Sequence, residues 1–287
     1  MALTVLPTRS PWLPMGGPMG QEGSDTYVLR GGEKGAERLR LLARVKWPTT
    51  NTLLRRIGLR PAMRCLDVGC GIGAVTLKLA RWVGPTGQAV GIDRDERCLE
   101  LARQEAIRHG LSPIFRAEGV NDLREEALYD LVYSRFLLTH LLEPGRAVER
   151  LLRAARPGGL VVVEDIEFAA HFCYPACPAF DRYVSLYQQA VQRKGGDPNI
   201  GPRLVSLFLD SGLDEVHLEV VQPTFRSGPG KHIASITLEH IQEAVVQEGL
   251  ASAQEVERIV ADLDQFTADP RTILSMPRIF QVWGRKG

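Results

Sequence analysis

An acidic residue followed by alternating glycines is the pattern in this chain best suited to bind a ligand. Asp67 lies within an apolar run that begins near residue 63 and ends at Val68. Glycines then occupy every second position, at Gly69, Gly71 and Gly73. Glycine tolerates a positive φ and lets a ligand approach the backbone closely. The pattern predicts a buried parallel strand that breaks into a glycine-rich turn and opens a helix, as in many nucleotide sites.

A second acidic residue, Asp93, ends the next apolar segment at residues 89–92. At the carboxyl end of a second strand, a carboxylate can accept hydrogen bonds from both hydroxyls of a ribose, so the ligand is expected to carry a nucleoside. A dinucleotide-binding turn has two residues between its second and third glycines, whereas one residue separates Gly71 from Gly73. Asp67 would also place negative charge beside a pyrophosphate. A cationic ligand with an amino group therefore suits Asp67 better than an anionic one.

These motifs resemble those of the class I S-adenosylmethionine-dependent methyltransferases. Residues 66–73 resemble the first motif of the family, and residues 90–93 resemble its second acidic motif. Further segments match in the expected order, namely residues 129–133, 156–163 and 279–285. The resemblance covers roughly residues 60 to 287 and implies S-adenosyl-L-methionine as the cofactor, with no metal required.

The resemblance also implies roles for individual residues around the cofactor. Asp67 should hold its amino group, Asp93 its ribose, and Arg94 should flank the adenine. The remaining predicted cofactor contacts are the three glycines, Ser134 after the fourth strand, and Tyr27, Gly31 and Arg38 in an N-terminal helical cover. For Arg38 the alternative is a cation on the solvated surface of a helix.

Recognition of the adenine departs from the family pattern. The family often places an acidic residue after the third strand, in a Gly-Asp-Ala sequence, to accept from the adenine amino group. This chain has Glu118, Gly119 and Val120 there. Either Glu118 replaces that acid, or the amide of Val120 recognises the adenine unaided.

A histidine and an aspartate are the candidates for the catalytic pair. In similar small-molecule O-methyltransferases, a histidine after strand four and an aspartate after strand five flank the acceptor hydroxyl, and His140 and Asp165 hold those places here. Because imidazole titrates near neutrality, His140 could take the proton as the oxygen attacks, with Asp165 orienting it. The alternative is a structural turn in which the imidazole caps the backbone.

The alternation of apolar segments with helical patterns predicts an α/β fold, a Rossmann-like seven-stranded and mostly parallel sheet with helices on both faces. The predicted strands are residues 63–68, 89–92, 113–117, 131–134, 160–163, 215–221 and 279–285. In the family the last two strands form a hairpin and the seventh is antiparallel. Here residues 222–276 separate them, far more than a hairpin loop contains.

We predict that the chain divides into a flexible arm (1–24), an N-terminal helical cofactor or substrate cover (25–60) and a Rossmann-like methyltransferase domain (61–287). The cover is predicted to contain two helices, residues 33–45 and 49–57. The domain carries helical lid insertions at about 168–204 and 222–276. In the first insertion, Phe180, Tyr183 and Tyr187 share one helix face, which packs in the core or lines an acceptor pocket.

Composition excludes some classes of function. The net charge of +1 argues against a general nucleic-acid binder. No apolar run is long enough to cross a bilayer, and five irregularly spaced cysteines are typical of reduced thiols, so a cytoplasmic protein is expected. His171, Cys173 and Cys177 lack a matching second cluster, and we predict no metal site.

The charges are nevertheless unevenly distributed. Residues 30–64 are strongly basic and residues 234–270 strongly acidic. The two segments could attract each other, or the basic one could steer an anionic substrate, or both could be solvated helix faces.

The favoured function is methyl transfer to a small-molecule acceptor at oxygen, nitrogen or carbon. The alternatives are an RNA methyltransferase that uses the basic segment, a nicotinamide-dependent oxidoreductase and a non-catalytic cofactor-binding protein. The acceptor atom, the natural substrate and the oligomeric state do not follow from the sequence.

Overall fold

The computed structural model describes residues 33–213 and 215–287, with side chains from residue 38 onward. The α-helices are α1 Glu33–Arg56, α2 Ala74–Val83, α3 Glu96–Arg108, α4 Pro144–Ala154, α5 Pro178–Arg193, α6 Leu204–Asp210, α7 Ile233–Gln247 and α8 Ala253–Ala268. The strands are β1 Arg64–Val68, β2 Gln88–Asp93, β3 Ile114–Ala117, β4 Tyr129–Arg135, β5 Ala155–Glu167, β6 Cys173–Tyr174, β7 Val216–Val221, β8 Thr224–Phe225, β9 Ile273–Ser275 and β10 Arg278–Arg285. The predicted arm lies outside the described residues.

The main sheet has seven strands in the order β3-β2-β1-β4-β5-β10-β7. The pairs among β1 to β5 are parallel, and β10 is antiparallel to both β5 and β7. The predicted fold class is therefore confirmed. The carboxyl ends of β1, β2, β4 and β5 lie at one edge of the sheet, which is where ligands bind in open α/β folds.

Helices cover both faces because successive strand residues face opposite sides. On β1, Leu66 belongs to an apolar cluster with α4 and α6, represented by Val148 and Phe208. Its neighbour Cys65 belongs to a second cluster, which contains Leu53 of α1 and residues of α2. Asp67 has the same strand parity as Cys65, so the face covered by α1 and α2 is the one that carries its carboxylate.

Strand β5 is longer than the predicted residues 160–163. It begins at Ala155, which pairs with Tyr129, and the pairing with β4 shifts register before Leu131. A Cβ at Gly159 would lie 2.9 Å from the Tyr129 carbonyl oxygen and 2.8 Å from that of Arg156. Gly159 therefore allows close backbone packing at an irregular part of the strand.

The prediction of two N-terminal helices was wrong, because α1 is continuous through Pro48. Proline removes a backbone donor but does not end this helix. The hydroxyls of Thr49 and Thr52 donate to the carbonyls of Lys46 and Pro48, at 2.9 and 3.0 Å. Tertiary packing on both sides of the proline overrides the local signal. None of the described helices is long and apolar enough to cross a membrane.

The insertions pack against α1 and form one apolar cluster with it. The cluster contains Leu41 and Leu42 of α1 together with buried residues of α5, α7 and α8. The aromatic residues of α5 take part in it, and Tyr187 stacks on Phe168 with ring centroids 3.7 Å apart. An additional sheet in the order β6-β9-β8, which was not predicted, joins the two insertions.

Candidate functional site

The glycine turn lies between β1 and α2, and its three glycines have different surroundings. Gly69, Gly71 and Gly73 have φ of 72°, 53° and 69°. A Cβ at Gly73 would lie 2.7 Å from Phe115 Cζ, so this glycine allows the turn to pack on β3. A Cβ at Gly71 would come no closer than 3.6 Å to a side-chain atom of Leu39. A Cβ at Gly69 would lie 3.1 Å from Leu137 Cδ1, so of the three glycines Gly71 is the one whose backbone a ligand can approach.

Asp67 is buried, and its carboxylate is held by α2. The hydroxyl of Thr76 donates to Asp67 Oδ2 at 2.6 Å. Burial raises the pKa of Asp67 to about 6, while the bond from Thr76 and the nearby Arg135 lower it. The carboxylate is thus mostly ionised at neutral pH, and a cationic ligand would stabilise its charge. Thr76 was not predicted as a functional residue, because only the structure brings α2 over this carboxylate.

Asp93 holds the glycine turn in place. Its Oδ2 accepts from the Gly71 backbone N–H at 2.7 Å, and its Oδ1 accepts from that of Asp95 at 3.0 Å. Burial raises the pKa of Asp93, and the two backbone bonds oppose that effect. A carboxylate has about four lone-pair sites, so each oxygen can still accept from a ribose hydroxyl.

Glu118 is engaged by an ion pair in this structure. Arg116 Nη2 lies 3.2 Å from Glu118 Oε2, and Arg116 also pairs with Glu125. The charge of Glu118 is therefore partly compensated by β3. This neighbour makes Glu118 a weaker candidate for the acid that accepts from adenine.

A different carboxylate, that of Asp122, lies beside Gly119. A Cβ at Gly119 would lie 2.9 Å from Arg94 Nε and 3.0 Å from Asp122 Oδ2. Asp122 Oδ2 also accepts from the Gly119 backbone N–H at 3.3 Å. The space that a side chain at residue 119 would occupy is therefore filled by Arg94 and Asp122. Val120 is buried beside them, and Asp122 was missed because its position departs from the family motif.

Ser134 connects the ends of the two central strands. Its hydroxyl donates to the Val68 carbonyl at 2.9 Å, and the side chain is fully buried. The hydroxyl proton is thus used inside the sheet. The oxygen can still accept a hydrogen bond from a ligand.

Arg38 is buried rather than exposed, so the surface-cation alternative was wrong. It is 7% exposed, and its Nε donates to Thr237 Oγ1 of α7 at 3.3 Å. Arg38 therefore links the N-terminal helix to the second insertion. Tyr27 and Gly31 lie outside the described residues.

Asp165 lies near the end of β5 and is linked to the turn of His140, which follows β4, through the backbone. Asp165 is buried and accepts from the backbone N–H groups of Thr139, at 3.2 Å, and Ile166, at 2.9 Å. Its carboxylate thus holds the backbone next to His140, which ends a short 3₁₀ turn. Burial and the charge of Arg38 lower the pKa of His140 to about 3. The premise that this imidazole titrates near neutrality is therefore wrong, and it is neutral at pH 7.

Burial raises the pKa of Asp165 from its ordinary 3.8 to about 7. Because the folded protein binds this proton more tightly than the unfolded chain does, Asp165 contributes to the free energy of unfolding fully below about pH 4. That contribution is lost as the pH rises through about 7. Relative to Asp165→Asn, we expect wild-type stability to fall by up to about 4 kcal/mol between about pH 4 and pH 8. Urea unfolding of both proteins across this range measures the difference. A difference that does not change with pH would contradict the shifted pKa.

The basic N-terminal segment is divided between the interior and a surface groove. Arg38 and Lys46 are buried. A groove of about 330 Å³ between α1, α2 and α3 is lined by Arg40, Arg44, Lys78, Arg81 and Arg135. Of the acidic segment, Glu255 pairs with Arg182 of α5, and Glu248 pairs with Lys194, the residue that follows α5. These contacts place part of the acidic segment against the first insertion.

Comparison with known proteins finds sequence similarity to methyltransferases. Residues 59–193 match the model of a family described as a methyltransferase domain. A demethylmenaquinone methyltransferase of Staphylococcus aureus is 28% identical over 135 residues, which cover 47% of this chain and 54% of that protein. The match thus spans about half the length of the curated relatives.

Solved structures share the fold at low sequence identity. YcgJ of Bacillus subtilis matches with a TM-score of 0.55 and 16% identity, over 83% of this chain and 98% of that one. A putative methyltransferase of Bacillus halodurans matches with a TM-score of 0.56 and 16% identity, over 82% and 97%. Phosphoethanolamine N-methyltransferase 2 of Haemonchus contortus, solved with S-adenosylhomocysteine, matches with a TM-score of 0.53 and 16% identity, over 87% and 57%.

Proposed function

We propose that this chain, which contains a class I S-adenosylmethionine-dependent methyltransferase domain, transfers a methyl group from S-adenosylmethionine to a small-molecule acceptor. The domain match and the sheet order support the methyltransferase assignment. One observation carries the proposal: two carboxylates lie on either side of the glycine turn. Asp67 is buried and Asp93 is half-buried. A nucleoside with a positively charged amino-acid end complements both.

The residues present fit this cofactor. Asp67 would hold its amino group and Asp93 its ribose hydroxyls, while Gly71 leaves room for the ligand along the turn. For the adenine, Asp122 and the amide of Val120 are the groups we favour, since Glu118 is paired with Arg116. Arg94 would flank the ring from the position that it occupies over Gly119.

When bound, S-adenosylmethionine would supply a methyl group whose carbon the acceptor's lone pair attacks in line, while the carbon–sulfur bond breaks and sulfur leaves with both of its electrons. The protein therefore has to align the two reactants and exclude water. A hydroxyl acceptor also loses a proton, which the neutral imidazole of His140 can take. Asp165 positions the turn that carries His140 through the Thr139 backbone.

A small acceptor is supported by how the insertions pack. Helices α1, α5 and α7 share one apolar cluster, and Arg38 bonds Thr237 across it. We propose that α1 is the cover and the two insertions are the lids that enclose the acceptor. The Staphylococcus aureus relative is named for a small-molecule acceptor, demethylmenaquinone.

The basic groove favours RNA as a second candidate acceptor. Five cationic side chains line it, and it lies beside α2 rather than under the insertions. Binding of RNA through such a surface would weaken steeply as salt increases. A titration of RNA at physiological salt tests this candidate, and weak binding would exclude it.

The deciding experiment offers the purified chain a metabolite extract with isotopically labelled S-adenosylmethionine. Mass spectrometry should find one or more small molecules that gain a single labelled methyl group. A parallel reaction contains RNA in place of the extract. Label that appears only in the RNA would support the second candidate. A chain that binds the cofactor but labels nothing would support the non-catalytic alternative.

We expect His140→Ala to lower kcat by about 10²-fold for an acceptor that loses a proton, the lower end of the usual contribution of a general base, because the pKa of His140 is lowered. The affinity for S-adenosylmethionine should change by less than about twofold, since His140 is not among its proposed contacts. His109→Ala, on the exposed end of α3, is the matched control and should leave both unchanged. An equal loss of turnover and affinity would indicate a structural histidine.

A further inference from the structure

Lys46 is a buried charged residue that the proposed mechanism does not use. It lies on α1, and it is 1% exposed. Its Nζ has no hydrogen-bond partner among the described residues. Its ammonium lies 4.5 Å from the centroid of the Phe136 ring, within cation–π distance. An ammonium removed from water without a hydrogen-bond acceptor is costly, so a ligand is the partner that such a group lacks.

The nearby carboxylates are already engaged by other donors. Glu164 accepts from Thr50 at 2.7 Å and from Tyr133 at 2.6 Å, and its other oxygen accepts from Gln281 at 2.7 Å. Asp165 accepts from backbone N–H groups. These acids influence Lys46 through their charge but are hydrogen-bonded elsewhere.

The charges around Lys46 leave room for an additional anion. Burial, Arg135 and Arg38 lower the pKa of Lys46 well below its usual range, and Glu164 and Asp165 only partly oppose them. A bound anion would reverse this shift by stabilising the protonated amine.

Aromatic side chains lie on the insertion side of Lys46. Phe136, over which Lys46 lies, packs against the apolar cluster that contains Phe168 and Tyr187. The His171 ring centroid lies 4.3 Å from that of Phe168, which stacks on Tyr187. His171 and Phe136 are each partly exposed. An aromatic ring that contacts Phe136 would bring a substituent to Lys46, whose Nζ lies over the Phe136 ring.

We propose that Lys46 binds an anionic oxygen of the methyl acceptor, and that the acceptor is a planar aromatic molecule carrying a carboxylate. This inference rests on the proposed function, because it assumes that the acceptor lies between the ends of β4 and β5 and the insertions. Phe136 and His171 would contact the ring, and Lys46 would bond the carboxylate. Lys46 is thus a specificity-determining residue.

A pair of probes that differ in charge tests this assignment. 2-Naphthoate and 2-naphthamide have the same ring, and only the first is anionic. Both are titrated by calorimetry into the full chain saturated with S-adenosylhomocysteine. We expect the wild type to bind the naphthoate at least about tenfold tighter than the naphthamide, as a charge-assisted hydrogen bond predicts.

Two variants at Lys46 separate charge from shape. Lys46→Met keeps the length of the side chain and should remove the preference for naphthoate, with naphthamide affinity within about twofold of wild type. Lys46→Arg keeps the charge and should retain a preference. Lys78→Met, in the basic groove beside Trp47, is the matched control and should leave the preference intact.

Several outcomes would overturn the inference. The wild type could bind neither probe, or it could bind naphthoate and naphthamide equally tightly. The Lys46→Met variant could also keep the preference for naphthoate. A Lys46→Met variant that binds S-adenosylhomocysteine normally shows that the fold is intact. Failure of the wild type to bind S-adenosylhomocysteine would instead contradict the proposed function, so the two failures are distinguishable.

Discussion

Asp93→Asn is expected to weaken S-adenosylmethionine binding by about 30- to 150-fold, the equivalent of about 2 to 3 kcal/mol. Both oxygens of Asp93 accept backbone N–H groups, from Gly71 and Asp95. Asparagine replaces one oxygen by an N–H₂ group, which would face a donor. The turn would then shift, and one acceptor for the ribose would be lost. Calorimetric titration of the cofactor measures the effect.

Asp95→Asn is the matched control for this prediction. Asp95 caps α3 by accepting from the Arg97 backbone N–H at 3.0 Å, and asparagine caps helices equally well. Its cofactor affinity should stay within about twofold of wild type. If Asp93→Asn bound the cofactor as tightly as Asp95→Asn, the ribose would have to lie elsewhere and the proposed cofactor site would be wrong.

Glu164→Leu is expected to lower the free energy of unfolding by about 4 kcal/mol or more. Glu164 is 1% exposed and joins three elements, through Thr50 of α1, Tyr133 of β4 and Gln281 of β10. Leucine would leave two hydroxyls and an amide buried without their acceptor. The loss of charge-assisted bonds adds to the penalty. Urea or guanidinium unfolding measures the change.

Glu164→Gln separates the hydrogen bonds from the charge. Its amide oxygen can still accept, and the hydroxyls of Thr50 and Tyr133 can rotate to accept from its N–H₂ group. A loss of about 1 to 2 kcal/mol is expected for this variant. A Glu164→Leu protein as stable as Glu164→Gln would show that the network contributes little to folding.

The central strands and the glycine turn could be predicted because their signals are local. An apolar run ending in an acid, followed by alternating glycines, determines both a strand and the conformation of the turn after it. The observed φ values of Gly69, Gly71 and Gly73 agree with that prediction. Asp67 and Asp93 were found for the same reason, since the carboxyl end of a parallel strand is a recognisable place in a sequence.

The periodicity of α1 could not show which of its charges are buried. Helical spacing distinguishes faces only when one face is apolar, and α1 is packed both on the sheet and on the insertions. Arg38 and Lys46 therefore lie inside the protein while Arg40 and Arg44 line a groove. The same packing on both sides of Pro48 keeps α1 continuous at this residue.

The sequence by itself thus determined the mostly parallel seven-stranded sheet, the glycine turn and the two acidic strand ends, because the signals for each lie in neighbouring residues. Only the tertiary structure decided that Thr76 holds Asp67, that Asp122 occupies the space beside Gly119, and that Lys46 is buried without a hydrogen-bond partner among the described residues. It also decided the lowered pKa of His140 and the raised pKa of Asp165. These properties arise from desolvation and from charges that the chain brings together across long sequence distances.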